Sequence, residues 1–591
     1  MGIYSLLDNF SKWRLKHNIT DKQLIIFLSV IIGFLVGFGA VLIKNGVHYI
    51  RNLLTSGFSS DIHNYLYFVY PTIGIFAVIV FCKYIIKHKV EHGIPSVLYA
   101  ISKTKGLIKK HNLFSSVITS WLTVGFGGSV GLEGPTVATG AAIGSNIGKL
   151  FNFNYKQITL LLGCASAGAM SAIFKAPIAA VVFALEVIML DLTMSSLVPL
   201  LISSATAALT SYFFLGQDVL YSFEIQEKFK LFDIPFYIIL GIITGLVSVY
   251  FIRMYKYLTL RFEKVQRWRI RLLIGGSVLG VLIFIFPSLY GEGYDAINQC
   301  LHGDISYLFE RSLFYTLKDS MLAVFVLLLL VILLKVIATT ITFGGGGVGG
   351  IFAPSLFVGA NTGLLYAKLI NSFNFSFSEQ NFALVGMAGL LSGVINAPLT
   401  AIFLIAEITS GYDLFMPLII TSTISFAILK IFERNSVYNY QLAERGELIT
   451  HDKDKSTFLL LDIDNLIETN FEVIHPKSKL RELIQAVSRS KRNVFPIVDD
   501  DGMMVGILTL NDIRNIMFKS ELYDTTEISH IMYYPETYVS YYDTLEQIAD
   551  KIESSGRYNV PVLKDGKYVG FVSRAKVFSA YRKLIKDFSE E

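Results

Sequence analysis

The stretch "GGSVGLEGPTVATG", Gly127–Gly140, holds five glycines, one proline and a single carboxylate, Glu133, between strongly apolar flanks. An apolar chain broken by glycine at this density is turning its backbone, because glycine adopts conformations closed to other residues and lets backbone approach backbone. The turn occurs twice. At a constant offset, "GGSVGLEGPTVATGAAIG" (Gly127–Gly144) matches "GGVGGIFAPSLFVGANTG" (Gly346–Gly363), with Gly128/Gly347, Gly131/Gly350, Pro135/Pro354, Gly140/Gly359, Ala141/Ala360 and Gly144/Gly363 identical. A second matched pair follows, Ala165–Val187 against Gly386–Ile408, sharing Gly168/Gly389, Ser171/Ser392, Ala176-Pro177/Ala397-Pro398 and Glu186/Glu407. Two halves built on one broken-helix pattern are the sequence mark of a transporter-type membrane fold whose substrate site lies where the repeats meet.

Composition points the same way. Of 591 residues, 53% are hydrophobic and 16% charged, with mean hydropathy +0.54, whereas soluble domains carry about 25% charged residues. Apolar runs that predict bilayer-crossing helices, each needing about 20 residues, include Leu24–Ile43, Tyr65–Ile85, Phe236–Ile252, Leu272–Phe286 with its flanks, and Met321–Phe343. The three cysteines, Cys82, Cys164 and Cys300, make no disulfide framework. The N-terminus lacks the pattern of a cleavable signal peptide, and Lys12, Arg14, Lys16 and Lys22 ahead of the first run predict that it is cytoplasmic. A net charge of +5 fits basic loops beside a membrane and implies no nucleic-acid partner. Charged residues become frequent after Arg434. The expected domains are therefore a membrane part, 1–442, in two repeats (about 20–215 and 233–442), a polar linker, 443–463, and a soluble α/β tail of two similar units, 464–520 and 528–586.

Inside lipid, non-helical backbone survives only where protein or a water-filled cavity satisfies its polar groups. The turns at Gly131–Pro135 and Gly350–Pro354, and a third at "EHGIP" (Glu91–Pro95), are expected to aim three helix N-termini at one place. Free N–H groups at the positive ends of helix dipoles bind anions. Such a site replaces a hydration shell without a fixed positive charge that would trap the ion. Glu133, at one of these N-termini, competes with an anion while ionised and gives way when protonated. Cation transport would need several pore carboxylates; these turns hold one. An enzyme is not expected, since the membrane part shows no nucleophile–base pair and no metal-ligand cluster.

These residues also carry a resemblance. Gly131-Leu132-Glu133-Gly134-Pro135, Gly350-Ile351-Phe352-Ala353-Pro354, His92-Gly93-Ile94-Pro95 and Tyr438 of "NSVYNYQL" resemble the four signature segments of the CLC family of chloride channels and chloride/proton antiporters. The resemblance covers roughly Asp21–Leu442. It implies an α-helical membrane homodimer with one anion pathway per subunit, inverted-repeat halves, Glu133 as gating glutamate, and a central anion site enclosed by the HGIP turn, the two glycine turns and Tyr438. The anion contacts it implies are His92, Gly93, Ile94, Gly131, Leu132, Gly350, Ile351, Phe352, Ala353 and Tyr438. Phe352 is expected to act through its backbone N–H and bulk alone.

Two departures bear on mechanism. The family usually has serine where this chain has His92; histidine offers an N–H when neutral and a charge when protonated, and the alternative is a side chain that only fills space. In the antiporters a proton-relay glutamate occupies the position of Val187, which is apolar here; Glu186 beside it is a weaker substitute. Channel-like chloride conduction is therefore the expectation, with chloride/proton exchange as the alternative and fluoride/proton exchange behind it, because Tyr438 and the large tail fit the fluoride branch poorly. Glu186 and Glu407 are expected to cap helix ends in both halves, and Lys175 and Lys335 to snorkel.

In the tail, "NVFPIV" and "NVPVL" strands, acidic-Gly turns and "VGILT" and "VGFVS" strands occur in both units, which resemble a pair of CBS domains on the cytoplasmic side. In that family a Thr/Ser-x-x-Asp at the last helix start holds adenine nucleotide. The first unit has Thr509 and Asp512; the second has Ser573 and Lys576. One nucleotide site is expected, not two, with a ligand-free dimerisation module as the alternative; no cofactor is required for transport.

Overall fold

The computed structural model describes residues 20–56, 65–88, 93–188, 193–216, 229–409, 412–433, 435–440, 463–543 and 545–589. It divides the chain into Met1–Leu448 and Ile449–Glu591. Lys12, Arg14, Lys16, His92 and the linker 443–462 lie outside the described residues.

Among the described residues the first unit is mostly helical, with eight α-helices in each repeat. The first repeat runs α1 (Asp21–Thr55), α2 (Tyr70–Val80), α3 (Gly93–Lys103), α4 (Asn112–Gly125), α5 (Glu133–Leu150), α6 (Tyr155–Phe174), α7 (Pro177–Glu186) and α8 (Met194–Leu215). The second runs α9 (Ile234–Glu263), α10 (Trp268–Ile285), α11 (Tyr294–Leu301), α12 (Met321–Gly345), α13 (Phe352–Asn371), α14 (Glu379–Ile395), α15 (Pro398–Ile408) and α16 (Phe415–Phe432). The packing is duplicated as the sequence is: α5 lies on α6 as α13 lies on α14, α1 on α8 as α9 on α16, and α6 on α8 as α14 on α16. Among the described residues, seven helices are long and apolar enough to cross a membrane. The run Tyr65–Ile85 is not one unbroken helix: a 3₁₀ turn precedes Pro71 near the start of α2, and a π-turn, Phe81–Ile86, ends at left-handed Lys87.

Small residues set the closest helix contacts. A Cβ on Gly144 of α5 would stand 2.5 Å from the Leu161 carbonyl of α6, and one on Gly363 of α13 would stand 2.0 Å from the Phe382 carbonyl of α14. Between membrane helices, where lipid is as apolar as leucine, such approach supplies the packing energy.

The matched Ala-Pro steps open α7 and α15 with proline in the first turn, after Lys175 and Asn396 cap the preceding helices in the left-handed region at φ 56° and 64°. Each new helix start is closed by the other repeat. Glu407 at the end of α15 accepts from the Ile178 and Ala179 N–H of α7 at 3.1 and 2.8 Å. Glu186 at the end of α7 accepts from the Leu399 and Thr400 N–H of α15 at 3.2 and 2.7 Å. The two carboxylates cap helix N-termini, as expected, and do so reciprocally across the repeats.

The lysines do not snorkel. Lys335 is fully buried and donates to the Leu289 and Gly291 carbonyls at 3.4 and 2.9 Å. Lys175 donates to the Gly216 carbonyl at 2.8 Å. Each satisfies carbonyls that a loop leaves open, which a helix-surface reading of the sequence misses.

The second unit holds β1 (Ile467–Glu468), α17 (Leu480–Arg489), β2 (Val494–Val498), β3 (Met504–Thr509), α18 (Leu510–Ile513), β4 (Val539–Ser540), α19 (Leu545–Ser555), β5 (Asn559–Lys564), β6 (Lys567–Ser573) and α20 (Arg574–Ser589). β2 and β3 form one antiparallel hairpin, β5 and β6 the other, and the larger sheet has the order β1-β6-β5-β4. The hairpin turns bond to each other, Met504 N–H to the Gly566 carbonyl and Tyr568 N–H to the Gly502 carbonyl, at 3.2 and 3.1 Å. β1 precedes the first hairpin in sequence yet completes the sheet of the second. Its Glu468 accepts from the Ser573 hydroxyl at 2.6 Å and from Arg492. Burial pushes the Glu468 carboxyl up, but these two donors prevail and hold it below the usual carboxylate range.

Glu407→Ala leaves two helix N–H groups without their acceptor and is expected to cost about 1–3 kcal/mol, read as a lowered thermal unfolding midpoint in detergent; Glu186→Ala should behave alike. A depressed carboxyl contributes stability that is complete above its unfolded pKa and lost as pH falls through the folded value. Amide-exchange protection at β1 and β6, measured relative to the intrinsic rate at each pH, should therefore fall in wild type as pH drops below about 4.3, and Glu468→Gln should abolish that acid step.

Candidate functional site

The two glycine turns meet each other. Gly131 N–H donates to the Gly350 carbonyl and Gly350 N–H to the Gly131 carbonyl, both at 2.8 Å, an antiparallel bridge between matched residues of the two repeats. These N–H groups, expected to face an anion, are spent on each other. Helix geometry leaves the first-turn N–H groups of α5 and α13 without intrahelical acceptors: Leu132, Glu133 and Gly134, and Ile351, Phe352 and Ala353; of these, the Glu133 and Ala353 N–H groups face the Glu133 carboxylate and the Leu132 N–H faces Glu292.

A third N-terminus adjoins them. Gly93, which opens α3, has φ +31°, and a Cβ there would stand 2.5 Å from the Cα of Gly134, so only glycine lets α3 start against α5. Between these ends lies a cavity of about 20 Å³ lined by Gly93, Ile94, Gly134, Gly350, Ile351 and Tyr438, with Tyr255 and Phe343 closing it. Its volume suits one small particle. Tyr438 is 4% exposed, and its hydroxyl is buried with no hydrogen-bond partner among the described residues.

Glu133 is wholly buried. Its Oε1 accepts from the Tyr294 hydroxyl of α11. Its Oε2 has no partner among the described residues and stands 3.2 Å from where a Cβ on Gly350 would lie. The carboxylate thus sits over the bridge, among the helix starts.

The other expected site residues are placed as follows. Leu132 lines a separate small gap with Tyr294. Phe352 and Ala353 are fully buried, with the Phe352 ring 5.2 Å from that of Phe174, a packing contact between the repeats. Val187 is buried at the end of α7, and Glu186 is occupied at the start of α15. In the tail, Asp512 accepts from the Thr509 N–H and hydroxyl at 2.6 and 2.7 Å, closing a capping box. Ser573 donates to Glu468 and accepts from the Lys576 N–H at 3.2 Å. Sequence reasoning missed Tyr294, because nothing near it repeats, and missed Lys44, His48 and Arg51, whose i, i+4, i+7 spacing on α1 was legible as a polar stripe in an apolar run.

Comparison with known proteins follows the same division of the chain. The voltage gated chloride channel family matches residues 73–430, and the CBS domain family matches 463–519 and 528–583. The chain is 28% identical over 442 residues to the H(+)/Cl(-) exchange transporter ClcA of Vibrio cholerae, covering 71% of this chain and 89% of that protein. It is 25% identical over 559 residues to the chloride channel protein CLC-e of Arabidopsis thaliana, covering 84% and 76%. In fold it is similar to a slow cyanobacterial Cl−/H+ antiporter (TM-score 0.62, 21% identity, covering 72% of this chain and 98% of that one) and to a eukaryotic CLC transporter (TM-score 0.60, 18% identity, covering 94% and 98%). With a family match spanning α2 to α16 and a bridge joining its two repeats, the chain belongs to the voltage gated chloride channel, or CLC, family and carries a CBS domain pair behind its membrane unit.

Proposed function

We propose that the protein carries chloride across the membrane through the cavity between the starts of α3, α5 and α13, with Glu133 as its protonatable gate. One observation carries this reading: the Tyr438 hydroxyl and Glu133 Oε2, two buried polar atoms without partners among the described residues, both stand where helix N-termini converge. A buried hydroxyl without an acceptor is costly, and an anion in the cavity supplies one. Helix-end N–H groups and dipoles add attraction without a fixed cation. Ionised Glu133 competes for those same groups; protonated, it withdraws.

Val187 offers no proton, and Glu186 is committed to capping α15, which supports channel-like conduction. The likeness to ClcA, named an H(+)/Cl(-) exchange transporter, favours the second reading, coupled exchange. The protein works as a homodimer with its N-terminus and tail cytoplasmic. In the tail, Thr509 and Asp512 offer one adenine-nucleotide site, whereas Glu468 already occupies Ser573, its counterpart in the second unit.

Purified protein in chloride-loaded vesicles tests this. Glu133→Gln is expected to change chloride efflux by about tenfold, a shift of about 1.4 kcal/mol in the gate, and to remove its pH dependence; an unchanged flux overturns the anion pathway. Under channel-like conduction a chloride gradient drives no protons uphill. Uphill proton movement that Glu133→Gln abolishes establishes exchange instead. Tyr438→Phe deletes one hydrogen bond to a charge and should weaken chloride binding about tenfold by calorimetry.

A further inference from the structure

α16 ends at Phe432, and Glu433 leads the chain out of the helix in extended geometry, φ −138° and ψ 122°. A turn follows, in which the Tyr440 N–H donates to the Ser436 carbonyl at 3.1 Å and the Asn439 N–H to the Ser436 hydroxyl at 3.3 Å. It brings Tyr438 to the wall of the cavity between the helix starts. A single turn has little stability of its own, because nucleating it fixes more backbone than one hydrogen bond repays. Where the Tyr438 ring stands is therefore decided by what the turn is fastened to.

It is fastened to α9. The Glu433 carboxylate meets a cation on each oxygen, Arg253 Nε on Oε1 at 3.1 Å and Lys256 Nζ on Oε2 at 2.7 Å. The same Lys256 ammonium stands 4.5 Å from the centre of the Tyr440 ring, within the range of a cation–π contact. Lys256 thus grips the chain on both sides of Tyr438. Exposed ion pairs contribute little, but the Lys256 and Glu433 side chains are only 21% and 15% exposed. The anchor is itself fixed, since α9 packs against α12, α14 and α16. Tyr255, the neighbour of Lys256 in sequence, lines the cavity together with Tyr438, and its ring meets that of Phe343 edge-on at 6.3 Å. One stretch of α9 supplies both a part of the cavity wall and the hold on Tyr438.

We propose that Lys256 is a positioning residue for Tyr438: by gripping Glu433 and the Tyr440 ring at once, it holds the Tyr438 hydroxyl, which has no partner among the described residues, where it can donate to an anion in the cavity. How firmly the cavity keeps its anion is then set from α9. The proposal rests on the reading that chloride binds in this cavity against Tyr438. It differs from simple attraction between Lys256 and the anion in the role it gives Glu433. If charge alone mattered, removing the Glu433 carboxylate would tighten anion binding; as half of the grip, its removal weakens binding, as removal of Lys256 does.

The test is chloride binding to the purified full-length protein, measured by calorimetry. Lys256→Gln should weaken it about tenfold, the size expected for one misplaced hydrogen bond to a charge, and Glu433→Ala should weaken it likewise. Lys256→Arg, which keeps the cation against both partners, should bind as wild type. In a Tyr438→Phe background Lys256→Gln should add no further loss, because residues that act through one another are not additive. Unchanged binding in Lys256→Gln, tighter binding in Glu433→Ala, or a further loss in the Tyr438→Phe background overturns the proposal while the anion cavity stands. If Tyr438→Phe itself leaves chloride binding unchanged, the anion reading of the cavity fails, and the grip has nothing to position.

Discussion

The mutual hydrogen bonds of Gly131 and Gly350 are what the rest of the membrane unit is arranged around. Two chains of backbone leave helical geometry at that point inside an apolar protein, where an unpaired N–H or carbonyl costs several kcal/mol. By pairing matched residues the repeats satisfy one another, and each glycine turn needs the other to exist. α5 and α13 must then begin within two residues of a common point. Helices that start together bring their unpaired N–H groups and positive dipole ends together. The positive electrostatic character of these helix starts thus follows from how the backbone is satisfied.

The same economy appears at the ends of α7 and α15. Each has a proline in its first turn, and each finds the acceptor for its opening N–H groups in a glutamate of the opposite repeat. A carboxylate at a helix N-terminus is favourable for dipole and hydrogen-bond reasons alike. Here it also ties the halves together at a second place.

In the soluble unit, asymmetry arises within a near-repeat. The hairpins β2–β3 and β5–β6 are alike and touch turn to turn, but β1 adds to only one of them. Its Glu468 takes the Ser573 hydroxyl at the start of α20, leaving Thr509 as the corresponding group with no foreign carboxylate upon it. One added two-residue strand makes the two units chemically different.

Much of this was legible in the chain. Glycine and proline spacing disclosed the doubled membrane repeat, because only a turn forced into lipid needs that density of glycine; hydropathy marked the long spans; and strand and turn residues marked the two tail units. That Glu133 is a lone carboxylate at a helix start was also legible. The sequence could not say that Gly131 and Gly350 spend their N–H groups on each other, that Glu186 and Glu407 cap across the repeats, that Lys335 turns inward, or that Tyr294 reaches Glu133. Those contacts join residues 44 to 229 positions apart, and a hydrogen bond depends on where two groups end up in space. Local pattern fixes which backbone must break from helix; only the folded packing decides which group answers each broken bond.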